Sequence, residues 1–252
     1  MRYGYSAKSK DHVMTELLIL ALAILPAVLL ALFIYKRDPI PEPVPQLLKA
    51  FFYGVMISVP AVIVESLLAS MFGIPDEPTS IFGAASISFI VAAFSEESLK
   101  LLALWLILRK NRFFDEHFDG IVYAVMVSLG FATIENVGYL FENIDDWMGV
   151  GVARALLAVP GHYAFGIIMG YYYSMYTFVK SSTFNRYMIL AAPIIAHGIY
   201  DTIAFSMGLN EAMSALCMML LIYFCYKLHK NCLKKIAAHA KRDTDPYSGF
   251  EA

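Results

Sequence analysis

Long apolar blocks run through this 252-residue sequence and limit what it can fold into. Each block is about twenty residues or longer, and charged or proline-rich stretches separate the blocks. A mostly apolar run of about 18 or more residues is long enough to cross a bilayer as a helix. Only 16% of the residues are charged, against about a quarter in an average soluble domain. The sequence therefore predicts an all-α, polytopic membrane helix bundle and excludes a soluble enzyme, a disordered chain and a disulfide-stapled secreted domain.

Seven transmembrane helices are predicted, over residues 13–35, 47–72, 81–108, 119–142, 151–178, 187–206 and 209–229. The proline-rich stretch 38–46 predicts an extended linker after the first helix, because closely spaced prolines cannot continue a helix. We expect residues 1–229 to form a single transmembrane domain. We expect residues 230–252 to form a basic cytoplasmic tail, either a short amphipathic helix on the bilayer lipid or a frayed, solvated segment.

The distribution of Lys and Arg predicts the orientation in the membrane. These residues fall in alternate connections and in the tail: Lys36, Arg37, Arg109, Lys110, Arg112, Lys180 and Arg186. The intervening loops at 73–80, 143–150 and 207–208 contain neither. We therefore predict a multi-pass protein of the cell membrane with a cytoplasmic C-terminus, although Arg2, Lys8 and Lys10 argue against the outside N-terminus that seven helices require. No long basic block of the kind that binds nucleic acid is present, so no nucleic-acid partner is expected.

Seven charged or titratable residues lie within the predicted spans, where they are costly. They occupy four successive spans: Glu96, Glu97, Lys100, Glu135, His162, His197 and Asp201. One ionised group at the bilayer centre costs about 2.5–3.5 kcal/mol, so five such groups facing lipid alone would cost on the order of 12 kcal/mol. A single buried polar residue could be explained by one interhelical hydrogen bond. A set of seven at similar depth predicts a functional site where they face one another or a wet cavity.

Helical spacing sharpens this prediction. His197 and Asp201 are four residues apart and share one face of a helix. Either both serve one site, or Asp201 orients the imidazole of His197. Lys100 lies four residues after Glu96 and three after Glu97, so it can neutralise either glutamate.

The motifs resemble those of a known family. Glu96–Lys100 matches EExxK, Phe131–Glu135 matches FxxxE, His197–Asp201 matches HxxxD, and His162 lies between the last two. This ordered set resembles the PrsW intramembrane proteases, relatives of the CAAX prenyl endopeptidase and Abi group, over about residues 25–206. The resemblance implies that residues 1–229 form a protease domain. It also implies cleavage of a single-span, membrane-anchored protein, such as an anti-sigma factor, near its outer membrane boundary.

The resemblance also implies residue roles. In the wider group a glutamate activates water while His and Asn support the oxyanion. Carried over, Glu96 or Glu97 is the base that activates water, with Lys100 as a supporting residue. The remaining candidates hold either the oxyanion or a metal, and they are also the candidate zinc ligands: His162, His197, Glu135 and Asp201.

The balance of charge leaves both mechanisms open. Among the seven residues, four acidic side chains are balanced by one positive charge, that of Lys100. A low-dielectric cavity cannot hold the excess negative charge, so either protons or a cation must neutralise it. Two histidines with carboxylates would suit catalytic zinc, and a protonated Asp201 would equally serve as an oxyanion donor. The peptidase is therefore of glutamic or metallo type.

A different class of protein uses the same residue types. Midplane Glu, His and Asp residues also line the ion pathways of secondary transporters for protons or divalent cations. Such transporters often contain inverted repeats, and we find none in this sequence. The transporter is the alternative to the protease. By the predicted orientation Glu65, Glu135 and Arg154 lie in the outer half of their spans, so water is expected to reach the site from outside.

Overall fold

Helices form the whole of the secondary structure in the part of the chain that the structure describes. The computed structural model describes residues 4–179 and 182–245, with side chains from residue 13 onward. It is 88% helical and contains no strand within those ranges. The α-helices are α1 (Gly4–Tyr35), α2 (Val44–Phe72), α3 (Ile81–Ser86), α4 (Phe94–Leu108), α5 (His117–Glu142), α6 (Trp147–Ala153), α7 (Val159–Ser174), α8 (Thr183–Ser206) and α9 (Glu211–Thr244).

Short helices of other types join several of these. Three segments are π-helical, namely π1 (Ile87–Ala93), π2 (Arg154–Ala158) and π3 (Met175–Val179). Two turns of 3-10 helix, Ile144–Asp146 and Met207–Leu209, lie in the connections after α5 and α8. A π-helix has hydrogen bonds from residue i to i+5 and is wider than an α-helix, and such turns occur frequently at functional sites. The chain therefore runs as one continuous helix through α3, π1 and α4, and again through α6, π2, α7 and π3.

Six helical stretches of the described chain are long and apolar enough to cross a membrane. They are Val13–Tyr35, Val44–Phe72, His117–Glu142, Ile144–Val179, Thr183–Leu209 and Glu211–Thr244. The polytopic bundle is confirmed. The predicted span 81–108 is helical throughout but is not among the six, and it carries Glu96, Glu97 and Lys100 in the middle of its apolar run. The count of seven therefore stays a prediction.

The C-terminal helix does not end where the last predicted span ends. Helix α9 continues past residue 229 to Thr244, and Cys232, Ile236 and His239 are buried against the bundle. As far as residue 245, the predicted tail is thus neither frayed nor a separate surface helix. Residues 246–252 of that tail, and Arg2 and Lys180 from the orientation argument, lie outside the described residues.

Helix α5 lies at the centre of the bundle, because every residue from 118 to 133 is buried. Helices α2 and α7 pack directly on its backbone at glycines. A Cβ atom at Gly54 of α2 would collide with the carbonyl oxygen of Val127, and one at Gly170 of α7 would collide with that of Gly120. Small residues allow such close approach of helix backbones in membranes. The tight packing of α5 against α2 and α7 brings the polar residues of four helices to one depth.

Candidate active site

A cavity of about 670 Å³ opens in one half of the bundle. Its walls come from the second halves of α2, α5 and α8 and the first halves of α7 and α9, with π1 and π2 between them. This half adjoins the loops that contain no Lys or Arg. Titratable side chains line the cavity: Glu65, Glu96, Glu135, Arg154, His162, His197 and Asp201. The structure therefore brings five of the seven predicted residues to the wall of one cavity, and the other two, Glu97 and Lys100, lie directly behind it.

Lys100 holds the two glutamates and one histidine together. Its side chain is fully buried, and its Nζ lies 2.9 Å from Glu96 Oε2, 2.8 Å from Glu97 Oε1 and 3.0 Å from Nδ1 of His162. The ammonium group also lies 4.3 Å from the centre of the Phe131 ring. An ammonium group has three hydrogens and no acceptor, so each one is used by a different partner. Lys100 therefore links its own helix α4 to α5, through Phe131, and to α7, through His162.

The contact with Lys100 determines which nitrogen of His162 carries its hydrogen. Nδ1 must accept, because an ammonium group can only donate, and Nε2 is then an N–H group. That Nε2 lies 2.7 Å from Glu135 Oε2, and Nη2 of Arg154 lies 3.1 Å from the other oxygen of Glu135. Nε of Arg154 donates to Asn136 Oδ1 over 2.6 Å. Glu135 is thus held between His162 and Arg154 at the cavity wall.

His197 is oriented by carboxylates at both ring nitrogens. Its Nδ1 lies 3.0 Å from Glu97 Oε1, and its Nε2 lies 3.1 Å from Asp201 Oδ2. The ring stacks on Phe165 with centroids 4.7 Å apart, and its centroid is 5.3 Å from that of His162. Asp201 therefore lines the cavity and also contacts the ring of His197, so the geometry is compatible with both alternatives for the HxxxD pair.

The two adjacent glutamates differ in their access to the cavity. Glu96 lines it, whereas Glu97 does not and is completely buried. Glu97 Oε1 accepts from both Lys100 and His197, and its other oxygen has no hydrogen-bond partner in the described chain. Only Glu96 can therefore contact water or a substrate in the cavity, and Glu97 is placed to position Lys100 and His197.

Two residues of the site were not among the predicted site residues. From the sequence, Arg154 and Glu65 were expected only to lie in the outer half of their membrane spans. Arg154 neutralises Glu135, and its guanidinium lies 3.9 Å from the centre of the Tyr139 ring. Glu65 lines the cavity with its Oε1 at 3.5 Å from Ser95 Oγ. Both are charged residues inside or at the edge of an apolar run. The same feature identified the seven predicted site residues, so it could also have identified these two.

The donor set has the chemistry of a zinc site, but its arrangement does not fit a bound ion. Glu96, Glu97 and His162 each offer a ligand atom within 4.8 Å of the others. Lys100 already donates a hydrogen bond to all three, so its ammonium supplies the positive charge there. The predicted set of His162, His197, Glu135 and Asp201 is not such a group in the described residues; Nε2 of His162 faces Glu135, and Nε2 of His197 faces Asp201.

Comparison with known proteins identifies a family of membrane proteases, and its description as a metalloprotease differs from the arrangement of these side chains around the Lys100 ammonium group. The family described as PrsW family intramembrane metalloprotease matches residues 42–226. Protease PrsW of Clostridioides difficile (strain 630) is 33% identical over 226 residues, covering 88% of this chain and 92% of the relative. Protease PrsW of Bacillus subtilis (strain 168) is 36% identical over 189 residues, covering 73% and 82%. No solved structure matches.

The polar cavity inside a helical membrane bundle, together with the family match, identifies the class of protein as a membrane-embedded peptidase. The chain belongs to the PrsW family of intramembrane proteases. Membership of this family favours the peptidase over the transporter.

Proposed function

We propose that this protein is an endopeptidase that hydrolyses a single-span, membrane-anchored protein with a water molecule activated by Glu96. The observation that carries this proposal is the access of the Glu96 carboxylate to the cavity while Lys100 holds one of its oxygens. A positioned carboxylate within reach of a water molecule can act as a general base. No described residue forms a Ser–His or Cys–His pair at the cavity, so water is the nucleophile that the site supports.

Hydrolysis of a peptide bond requires one proton to be taken from the attacking water and one to be given to the leaving amine. In our proposal Glu96 takes a proton from water as the oxygen attacks the carbonyl carbon, and it returns that proton to the leaving amine. The negative charge that develops on the carbonyl oxygen requires donors fixed in advance. His162 and His197 line the cavity, and in our proposal each shares its Nε2–H group between the carboxylate beside it and the oxyanion. Lys100 contacts both Glu96 and His162, so it couples the position of the base to that of one donor.

The HxxxD motif gains a specific role in this scheme. An ionised Asp201 placed directly at the oxyanion would repel it. Asp201 Oδ2 instead lies beside Nε2 of His197, and Glu135 Oε2 lies beside Nε2 of His162. Each carboxylate therefore keeps its imidazole protonated at that nitrogen and fixes the plane of the ring. We assign Asp201 and Glu135 as positioning residues for the two histidine donors.

The place of the cavity supports cleavage near the outer membrane boundary of the substrate. The cavity lies in the half of the bundle whose loops lack Lys and Arg, which the positive-inside rule assigns to the outside. The same rule assigns the end of α9 to the cytoplasm. An anti-sigma factor is the candidate substrate that the family resemblance suggests.

Co-expression with candidate single-span membrane proteins tests this proposal. We expect Glu96→Gln to abolish cleavage while the protein still inserts, and the matched Glu211→Gln variant, an exposed glutamate at the start of α9, to cleave normally. Cleavage in 18O-labelled water should place one labelled oxygen in the new C-terminus. Full cleavage by both His162→Ala and His197→Ala would refute the site, and a cut at the cytoplasmic boundary would refute the orientation.

Treatment with a strong chelator separates the two mechanisms. We expect purified, metal-free protein to keep its activity, because Lys100 supplies the cation of the site. Loss of activity in chelator, restoration by zinc and about one zinc ion per chain by elemental analysis would instead establish the metal mechanism.

A further inference from the structure

A second group of carboxyl side chains lies at the end of the bundle opposite the cavity. There the linker between α1 and α2 meets the connection between α4 and α5. The group consists of Asp38, Glu42, Asp115, Glu116 and Asp119, and we call it the linker carboxylate cluster. None of these residues takes part in the proposed hydrolysis.

Three members of this cluster converge on one point. Glu42, Asp115 and Asp119 each offer a carboxylate oxygen, and these oxygens all lie within 4.8 Å of one another. Two oxygens bound to one Ca²⁺ at about 2.4 Å can be at most about 4.8 Å apart. Glu42 and Asp119 are buried, whereas Asp115 is exposed. The spacing therefore allows one hard divalent cation to contact all three carboxylates, and the exposed Asp115 gives it access from solvent.

Buried oxygens of the cluster lack the donors that they require. Asp119 is completely buried, and its Oδ2 accepts from the backbone N–H groups of Asp115 and Glu116, but its Oδ1 has no hydrogen-bond partner. One oxygen each of Asp38 and Glu116 is buried in the same condition. A buried polar atom without a partner is costly and rare in native proteins. These oxygens need a cation or protons.

Lys and Arg side chains form no ion pair with the cluster in the described part of the chain. In the part of the chain that the structure describes, no Lys or Arg nitrogen lies within 4.0 Å of any of the five carboxyl groups. Burial raises the pKa of Asp38 from 3.8 to about 7. The unneutralised charge therefore has a real cost at neutral pH.

We propose that the linker carboxylate cluster binds one hard divalent cation, of the Ca²⁺ or Mg²⁺ class, through Glu42, Asp115 and Asp119. Oxygen ligands in this number, completed by water, are what both ions prefer. The bound ion ties the α1–α2 linker to the start of α5, the central helix of the bundle. It stabilises the fold at the end of the molecule away from the catalytic cavity.

Thermal unfolding of the full-length protein in detergent tests this site. Protein freed of metal by a chelator and then dialysed is titrated with Ca²⁺ in one series and Mg²⁺ in another. We expect a saturable rise in the unfolding temperature of about 5–10 °C at a hundredfold excess over Kd. Calorimetric titration should show one ion per chain. The ion with the lower Kd identifies the preferred one.

Substitutions locate the binding. Asp115→Asn should remove most of the rise, and its exposed position means that the variant should fold. Glu42→Gln should do the same from the linker side. The matched control is Asp76→Asn, an exposed aspartate in the loop at the other end, which should respond as the wild type does. Glu96→Gln should also respond normally, because the ion does not bind in the catalytic cavity.

Three results would overturn the proposal. The first is the absence of any saturable shift with either ion at millimolar concentration. The second is an unchanged shift in Asp115→Asn. The third is an unfolding temperature that rises at acidic pH but does not change with either ion. That result would mean that protons neutralise the cluster. Because Glu96 plays no part here, each of these results would leave the proposed peptidase function intact.

Discussion

Replacing Lys100 by Met removes the ammonium group that pairs with Glu96 and Glu97 while keeping most of the side-chain volume. The ammonium group neutralises Glu96 and Glu97 and donates to His162 from a completely buried position. Without it, two adjacent carboxyl groups remain beside each other in a site with little access to water. We therefore expect Lys100→Met to lose both cleavage activity and stability.

The size of the effect follows from the burial. Removing one partner of a buried ion pair costs about 3–5 kcal/mol, because the other charge stays buried without compensation. For a protein of this size, about 1 kcal/mol corresponds to roughly 2–4 °C in unfolding temperature. The expected loss is thus about 6–20 °C. Adding Glu97→Gln to Lys100→Met removes one of the two unpaired carboxylates. The double variant should therefore be more stable than Lys100→Met alone, with a coupling energy of about 1–3 kcal/mol.

Thermal unfolding in detergent, read together with cleavage of a co-reconstituted substrate, measures both effects. Lys110→Met is the matched control, because this exposed lysine has no ion pair in the described chain and its loss should change stability by less than about 0.5 kcal/mol. If Lys100→Met unfolds within about 1 kcal/mol of the wild type, the cluster is not a charge-paired, water-poor site. The reasoning about its electrostatics would then be wrong.

Three further predictions concern other parts of the molecule. In chelator, wild-type stability should fall as pH rises from about 4 to about 7, because the fold holds the pKa of Asp38 above its unfolded value and so favours the protonated form. Asp38→Asn should flatten that dependence in a pH series of unfolding temperatures, and an unchanged slope would count against it. Gly54→Ala should destabilise by about 1–3 kcal/mol through collision with the α5 backbone, whereas Gly138→Ala, which meets open space, should be neutral or stabilising in the same assay. Arg154→Gln should cost about 1–3 kcal/mol and slow cleavage by releasing Glu135, and the double variant with Glu135→Gln should regain stability without regaining activity. Equal stability of the single and double variants would contradict that pairing.

Local spacing was sufficient for part of the site. The i, i+4 relations of Glu96 with Lys100 and of His197 with Asp201 depend only on helix geometry, and both contacts form. The cost of charge in hydrocarbon also led correctly to one shared site, because isolated charges cannot remain in lipid.

Contacts between helices could not be derived in the same way. The bond from Lys100 to His162 joins residues 62 positions apart, and it depends on how α4 and α7 pack around α5. The choice between Glu96 and Glu97 depends on the rotation of one helix by about a single residue. The linker carboxylate cluster joins two connections that are far apart in the sequence. Periodic patterns describe single helices, so they could not predict that these two connections meet. The extension of α9 past residue 229 was missed because its later turns are basic on one side and buried on the other.

The π-helical turn π1 has a consequence for insertions and deletions in this chain. A single π turn within an α-helix holds one residue more than the regular helix would, and each residue advances the helix by roughly 100°. The wider π turn absorbs that extra residue, so the helix before it and the helix after it keep the relative direction of one regular helix. Deleting one residue between 87 and 93 would therefore restore regular α-helix and leave Glu96 facing the cavity. The same deletion in the regular α-helix before His197 would instead rotate that histidine by roughly 100° away from its partners.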